Sequence, residues 1–211
     1  MGGFDMRERI EKDGKFLVIQ QSEFTESPRE WAEDSKMICF HSRYNLGDKH
    51  DYKDPTHFVV SLAEELGIIA NSYDTLCELP FNDKTIQKLL ALVEQKVTIL
   101  PLYLYDHSEL AMNTTGFSCP WDSGQVGWIW SATLSEDELQ KEVEWYDLYL
   151  RGEVFDAIYG TVETCKCCGQ KIEETIDTVS DLYCSSREQF KTDLREFLPQ
   201  EYHSLLEELL K

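Results

Sequence analysis

Two apolar runs flank a polar, turn-rich loop across residues 97–130, VTILPLYLYDHSELAMNTTGFSCPWDSGQVGWIW. Residues 98–105 are apolar and rich in Leu and Tyr, Asp106, His107, Ser108 and Glu109 can reverse the chain, and Leu110, Met112 and Thr114 restore a period of two. That pattern predicts a β-hairpin. Residues 117–125 then read as a loop, since Pro120 lacks a backbone donor, Gly116 and Gly124 permit turns, and Asp122 and Ser123 can bond their own backbone. Residues 126–130 resume as a buried strand.

The rest of the chain falls into place around this stretch. Residues 1–14 are polar and read as frayed, and residues 15–21 alternate as a strand. Residues 22–36 make an acidic connection in which Pro28 starts a short helical turn and Trp31 is expected to be its buried anchor. A second short strand, 37–40, runs into the loop 41–50. Asp54, Pro55 and Thr56 open a helix that Gly67 stops, residues 68–83 carry no clear pattern, and Asp83 caps a helix over 84–95. Ser135 and Glu138 form a capping box for a helix reaching about Leu150. Residues 153–163 and 171–179 predict two strands joined by a cysteine-rich turn, and the chain is helical from Ser185 with a break at Pro199. The expected fold is α+β: a mixed or mainly antiparallel sheet with a central β-hairpin, covered by helices, with a helical C-terminal tail. The expected domains are a flexible N-terminus (1–14), a core (15–184) and a helical extension (185–211).

Charge sharpens this picture. The 211 residues include 20 Lys and Arg against 40 Asp and Glu, a net charge of −20, which disfavours direct nucleic-acid binding and anionic membranes. The acidity serves either solubility or docking on a basic surface of another protein. The N-terminal segment has no signal-peptide core, and no apolar run approaches the roughly 20 residues of a membrane helix, so a cytoplasmic location is expected. Gly2 follows Met1, but Met6 stands where a myristoylation signal has Ser or Thr. Seven cysteines, an odd number, point to reduced thiols with one candidate metal cluster and not to a disulfide scaffold.

Three constellations could carry chemistry. Cys165 and Cys168 have the two-residue gap that lets two thiolates face one zinc ion, with Cys184 as a candidate third ligand and His203 as a fourth; the alternatives are a reduced tight turn and redox chemistry. His41, Asp48, His50, Asp106, His107 and Asp122 lie on three loops, and these residue types serve borderline metals or general-base pairs if the loops meet; otherwise the aspartates satisfy turn backbones. Trp121, Trp128, Trp130 and Trp145, with Tyr103, Tyr105 and Tyr146, either line a groove or fill the core. The helix over 136–150 carries Glu136, Asp137, Glu138, Glu142, Glu144 and Asp147 with only Lys141 in opposition, so Trp121, Trp128, Glu138, Glu142 and Asp147 are the candidate ligand or partner surface. No phosphate-cradling glycine loop or nucleophile elbow is present.

SPREW (27–31), CFHSRYNLGDKHDY (39–52), LPLYLYDHSELAMNTTGFSCPWDSGQVGW (100–128) and the CxxCG turn resemble a family of hypothetical proteins encoded by phages, plasmids and other mobile elements. The resemblance covers roughly residues 15–180. It implies a mobile-element origin and brings no established activity. Past the cysteine turn the chain departs from the family, with residues 177–184 and a helical tail where a more aromatic, Gly-ending strand is expected. The leading expectation is a non-enzymatic counter-defence protein that binds a host or defence-system protein with a basic surface, its acidic helices mimicking nucleic-acid charge. The alternatives are a metal-assisted hydrolase or nucleotide-modifying enzyme built on the His/Asp loops, and a small-ligand sequestering protein. A homodimer is compatible with the chain, though no recognisable stripe points to one.

Overall fold

The computed structural model describes residues 7–70 and 73–211, so residues 1–6 of the expected frayed segment lie outside it. Among the described residues, six helices and two antiparallel four-stranded sheets make the protein α+β, with two sheets where one was expected. Two compact units divide the chain: residues up to Glu26 together with Leu148–Lys211, and Ser27–Asp147. These units do not follow the expected boundaries at 14/15 and 184/185. No helix among the described residues is long and apolar enough to cross a membrane.

In the first unit the strand order is β1 (Arg7–Lys12), β2 (Lys15–Gln21), β7 (Val154–Thr164), β8 (Lys171–Tyr183). β1 corrects the expectation of a frayed segment through residue 14. Its sequence RERIEK shows almost no apolar alternation, yet each residue pairs with β2, from Arg7 opposite Gln20 to Lys12 opposite Lys15. The tail also belongs to this unit's core. Helices α5 (Arg187–Phe197) and α6 (His203–Leu209) bring Phe190, Leu194, Leu205 and Leu206 against Leu17, Ile19, Ala157 and Tyr159. Tyr202 is fully buried there, and its hydroxyl donates to the Gly160 carbonyl at 3.1 Å. β8 runs to Tyr183, four residues beyond the expected end, because Tyr183 and Leu182 pair with Val154 and Phe155 after a register shift.

The second unit has strand order β3 (Lys36–Cys39), β6 (Ser123–Ser131), β4 (Thr98–His107), β5 (Glu109–Asn113). The expected central hairpin is present as β4 and β5, but its reversal is tighter than four residues. Asp106 pairs with Leu110 and His107 with Glu109, leaving Ser108 at the apex with φ +60°. Helices α1 (Pro55–Glu65), α2 (Tyr73–Cys77) and α3 (Lys84–Val93) belong to this unit, with Phe58, Val59, Leu62, Ile86 and Leu89 buried in one cluster with Ile38 and Trp128. α1 begins where Asp54 accepts the His57 backbone N–H at 2.9 Å, and α3 where Asp83 accepts that of Thr85 at 2.7 Å. The helix over Glu136–Leu150, α4, starts at the expected capping box: Glu138 accepts the Ser135 N–H at 2.8 Å.

Candidate binding cleft and thiol turn

Arg29 organises the region around residues 27–48. It lies in a single 3-10 turn, Pro28–Glu30, started by Pro28 and capped by Ser27, whose hydroxyl accepts the Arg29 N–H at 3.2 Å. Its side chain is only 4% exposed. The guanidinium presents its fork to Asp48, with Nε to Oδ1 at 2.9 Å and Nη2 to Oδ2 at 3.0 Å, while Nη1 reaches Glu142 at 2.5 Å. Ser35 completes the node: its hydroxyl accepts from Nη2 at 3.0 Å and donates to Glu142 at 2.5 Å. Asp48 also accepts the Met37 backbone N–H at 2.8 Å, tying the node to β3. Burial is the largest single influence on the guanidinium and opposes its charge, but hydrogen bonds and charge from Asp48 and Glu142 together outweigh it, and the Arg29 pKa moves up.

The loop that delivers Asp48 depends on Gly47. Its φ is +67°, and a Cβ there would lie 2.4 Å from the Met37 carbonyl oxygen. Its N–H donates to the Tyr146 hydroxyl at 2.7 Å, which joins the loop to α4.

Over this node lies a cleft of about 320 Å³ whose walls include Trp31, Glu33, Asp34, Leu134 and Trp145. Trp31 is 46% exposed and Trp145 49%, so Trp31 is a wall of the cleft and not the buried anchor expected of it; Pro28 takes the buried place. Glu33 and Asp34 are exposed beside the indoles. The Arg29 charge is already engaged by two carboxylates, so the open part of the cleft is acidic and aromatic.

The six His and Asp candidates do not bring their ligand atoms together at one point. Asp48 belongs to the Arg29 node. His50 sits between Phe40 and Tyr52, with ring centroids 5.1 and 5.4 Å away, and its Nε2 donates to the Cys39 carbonyl at 2.9 Å. His41 accepts the backbone N–H groups of Arg43 and Tyr44 through Nδ1 at 3.4 and 3.3 Å and stacks on Tyr44. Asp106 pairs with Arg43 and accepts from the Tyr44 hydroxyl at 3.4 Å, so the first loop and the hairpin do meet, through a cation and a phenol. The Asp106 N–H donates to the Asp122 carbonyl at 2.8 Å, while the Asp122 carboxylate accepts from the Cys119 thiol at 3.2 Å. His107 is exposed and stacks on Tyr105.

The expected partner surface divides. Trp121 is 92% exposed, whereas Trp128 is 5% exposed and stacks on Phe58 inside the core, which removes it from any surface. Glu142 and Asp147 turn inward, to Arg29 and to the Met112 N–H at 2.7 Å. Glu138 is spent on its cap, where hydrogen bonds from the Ser135 backbone and side chain hold its carboxyl below the usual range. The acidic face of α4 is thereby reduced to Glu136, Asp137 and Glu144, which are exposed.

The thiol turn joins β7 to β8. The Cys165 N–H donates to the Gln170 carbonyl at 2.8 Å, and the Gly169 N–H donates to the Cys165 carbonyl at 2.8 Å, so two backbone bonds close the loop. Gly169 takes φ +71°, the left-handed conformation that glycine adopts without strain. The sulfur atoms of Cys165, Cys167 and Cys168 lie within 4.8 Å of one another, and these three could hold a metal ion. Among the described residues this is the group of three or more His, Cys, Asp and Glu side chains whose ligand atoms converge in this way; the His/Asp set is not. The Cys165 and Cys167 sulfurs are 2.8 Å apart, and the hydrogen bond from Cys167 is the largest influence lowering the Cys165 pKa to about 6. Cys184 is not in the group. It is buried in the first unit's core, and burial pushes its thiol up to about 12. His203 bonds the Leu198 carbonyl through Nε2 at 3.0 Å.

Sequence reasoning missed Arg29 as the centre of a node and Cys167 as a donor. Arg29 had a signal, being the single basic residue in the acidic stretch 22–35. Cys167 was passed over because the CxxC spacing draws attention to its neighbours. Compared with known proteins, the chain matches no family model, no curated protein and no solved structure.

Proposed function

We propose that this chain is a non-enzymatic binding protein that grips a basic side chain of another protein in the cleft between Trp31 and Trp145. The observation that carries the reading is the cleft's composition: two half-exposed indoles beside exposed Glu33 and Asp34, above an arginine already engaged by Asp48 and Glu142. An indole face attracts a Lys or Arg side chain, worth roughly 0.5–2 kcal/mol depending on desolvation, and nearby carboxylates add charge. The net charge of −20 supports the same partner class by steering basic surfaces toward the molecule. The resemblance to proteins of mobile elements gives this partner a context: a host or defence-system protein with a basic, nucleic-acid-handling surface, which the acidic protein would inhibit.

Titration calorimetry with an Arg- and Lys-rich peptide at low and high salt tests the reading. Saturable binding that weakens with salt, and that falls about tenfold or more in the Trp31→Ala/Trp145→Ala protein, is the expected result. Binding of equal strength in that double variant, or none at low salt, would discard it.

A further inference from the structure

The geometry points to a second, independent site: we infer that Cys165, Cys167 and Cys168 bind one thiophilic d10 metal ion, zinc or monovalent copper, through three thiolates, leaving any fourth position open to solvent. The three donors lie within four consecutive residues of a loop closed at its base by the Cys165–Gln170 and Gly169–Cys165 backbone bonds, so little chain entropy is left to lose on binding. Their sulfurs lie within 4.8 Å of one another. Three sulfurs around an ion at the usual Zn–S distance of about 2.3 Å stand roughly 3.8–4.0 Å apart, so changes in spacing of about 1 Å from the present arrangement would seat the ion. Thiolates select soft and borderline ions over calcium or magnesium.

Exposure separates this site from a closed structural one. Cys167 and Cys168 are exposed and Cys165 is half-buried, so a bound ion remains reachable by water and chelators. The other two candidate ligands have other roles, Cys184 within the core and His203 on the Leu198 carbonyl. An intrachain site therefore has three protein donors, and each metal entering exchanges thiol protons for M–S bonds, with those protons released to solvent and no change of oxidation state.

The test is metal titration of the full chain under a non-thiol phosphine reductant, with a chromophoric chelator in competition, once with Zn(II) and once with Cu(I). One ion per chain is expected for at least one of the two metals. Cys165→Ser, Cys167→Ser and Cys168→Ser should each weaken it by at least about 100-fold, the upper end of what even an outer-shell partner costs. Cys119→Ser, in the other unit, should leave it unchanged, and circular dichroism should show the three turn variants folded, since Cys167 and Cys168 are exposed and Cys165 is half-buried. Retention of full affinity in Cys167→Ser, one ion shared by two chains, or no binding of either metal at micromolar concentrations would each overturn the assignment.

Discussion

Around Arg29, Asp48, Glu142 and Ser35 converge on a guanidinium; at the turn after β7, three thiols converge on one another. Both are gatherings of electron-rich atoms, and they differ in where the balancing cation comes from. In the first it is part of the chain, so the cluster is complete on folding and serves stability. In the second it would have to arrive from solution, as the proposed metal ion does. Assembly differs too: Arg29 and Glu142 are 113 positions apart and meet only in the folded unit, whereas the thiols are brought together by one short loop.

The most forceful way to break this contrast is to remove the built-in cation. Arg29→Ala leaves Asp48 and Glu142 largely buried without their partner and should cost about 3–5 kcal/mol in urea denaturation. A loss below about 1 kcal/mol would show that the node is not the structural element described. Next, Asp54→Ala, which removes the cap from α1, should cost about 1 kcal/mol while leaving the proposed peptide and metal binding unchanged. His107→Ala sharpens the comparison from the opposite side. Because His107 is exposed at the hairpin end, its loss should change stability by no more than about 0.5 kcal/mol and leave metal content untouched. Metal lost in this variant would return the His/Asp loops to consideration.

The smallest effect is an acid one. Hydrogen bonds from Thr85, its backbone N–H foremost, hold the Asp83 carboxyl below its usual range. A carboxyl lowered by folding stabilises the native state above its unfolded pKa of about 3.9, and that contribution disappears as pH falls through the folded value. Asp83→Asn should therefore flatten the stability–pH curve slightly on the acid side below about pH 4 and leave its slope at neutral pH unchanged. An unchanged acid limb would mean that this cap does not titrate as described.

Local pattern made some elements readable and others not. The strand Lys15–Gln21 was legible because Phe16, Val18 and their neighbours carry their own β signal, and the caps at Asp54, Asp83 and Ser135 announced their helices. β1 was not, because RERIEK draws its strand from the partner it pairs with. Trp31 and Trp128 show the same limit at the level of single residues. Nothing in either tryptophan's own neighbourhood says that the first lines a cleft while the second stacks on Phe58; that depends on which distant elements pack there. The cleft was illegible for this reason, since its walls come from 28–34 and 134–145, while the thiol turn was legible because its donors are neighbours in sequence.

The most direct test of the binding reading uses the tryptophan indole N–H signals in a two-dimensional NMR spectrum, assigned by single Trp→Phe variants and followed as a Lys- and Arg-rich peptide is added. The cleft predicts that the Trp31 and Trp145 signals shift together and saturate while Trp121, the most exposed indole, stays in place. Shifts confined to Trp121, or no saturable shift at Trp31 and Trp145, would contradict it.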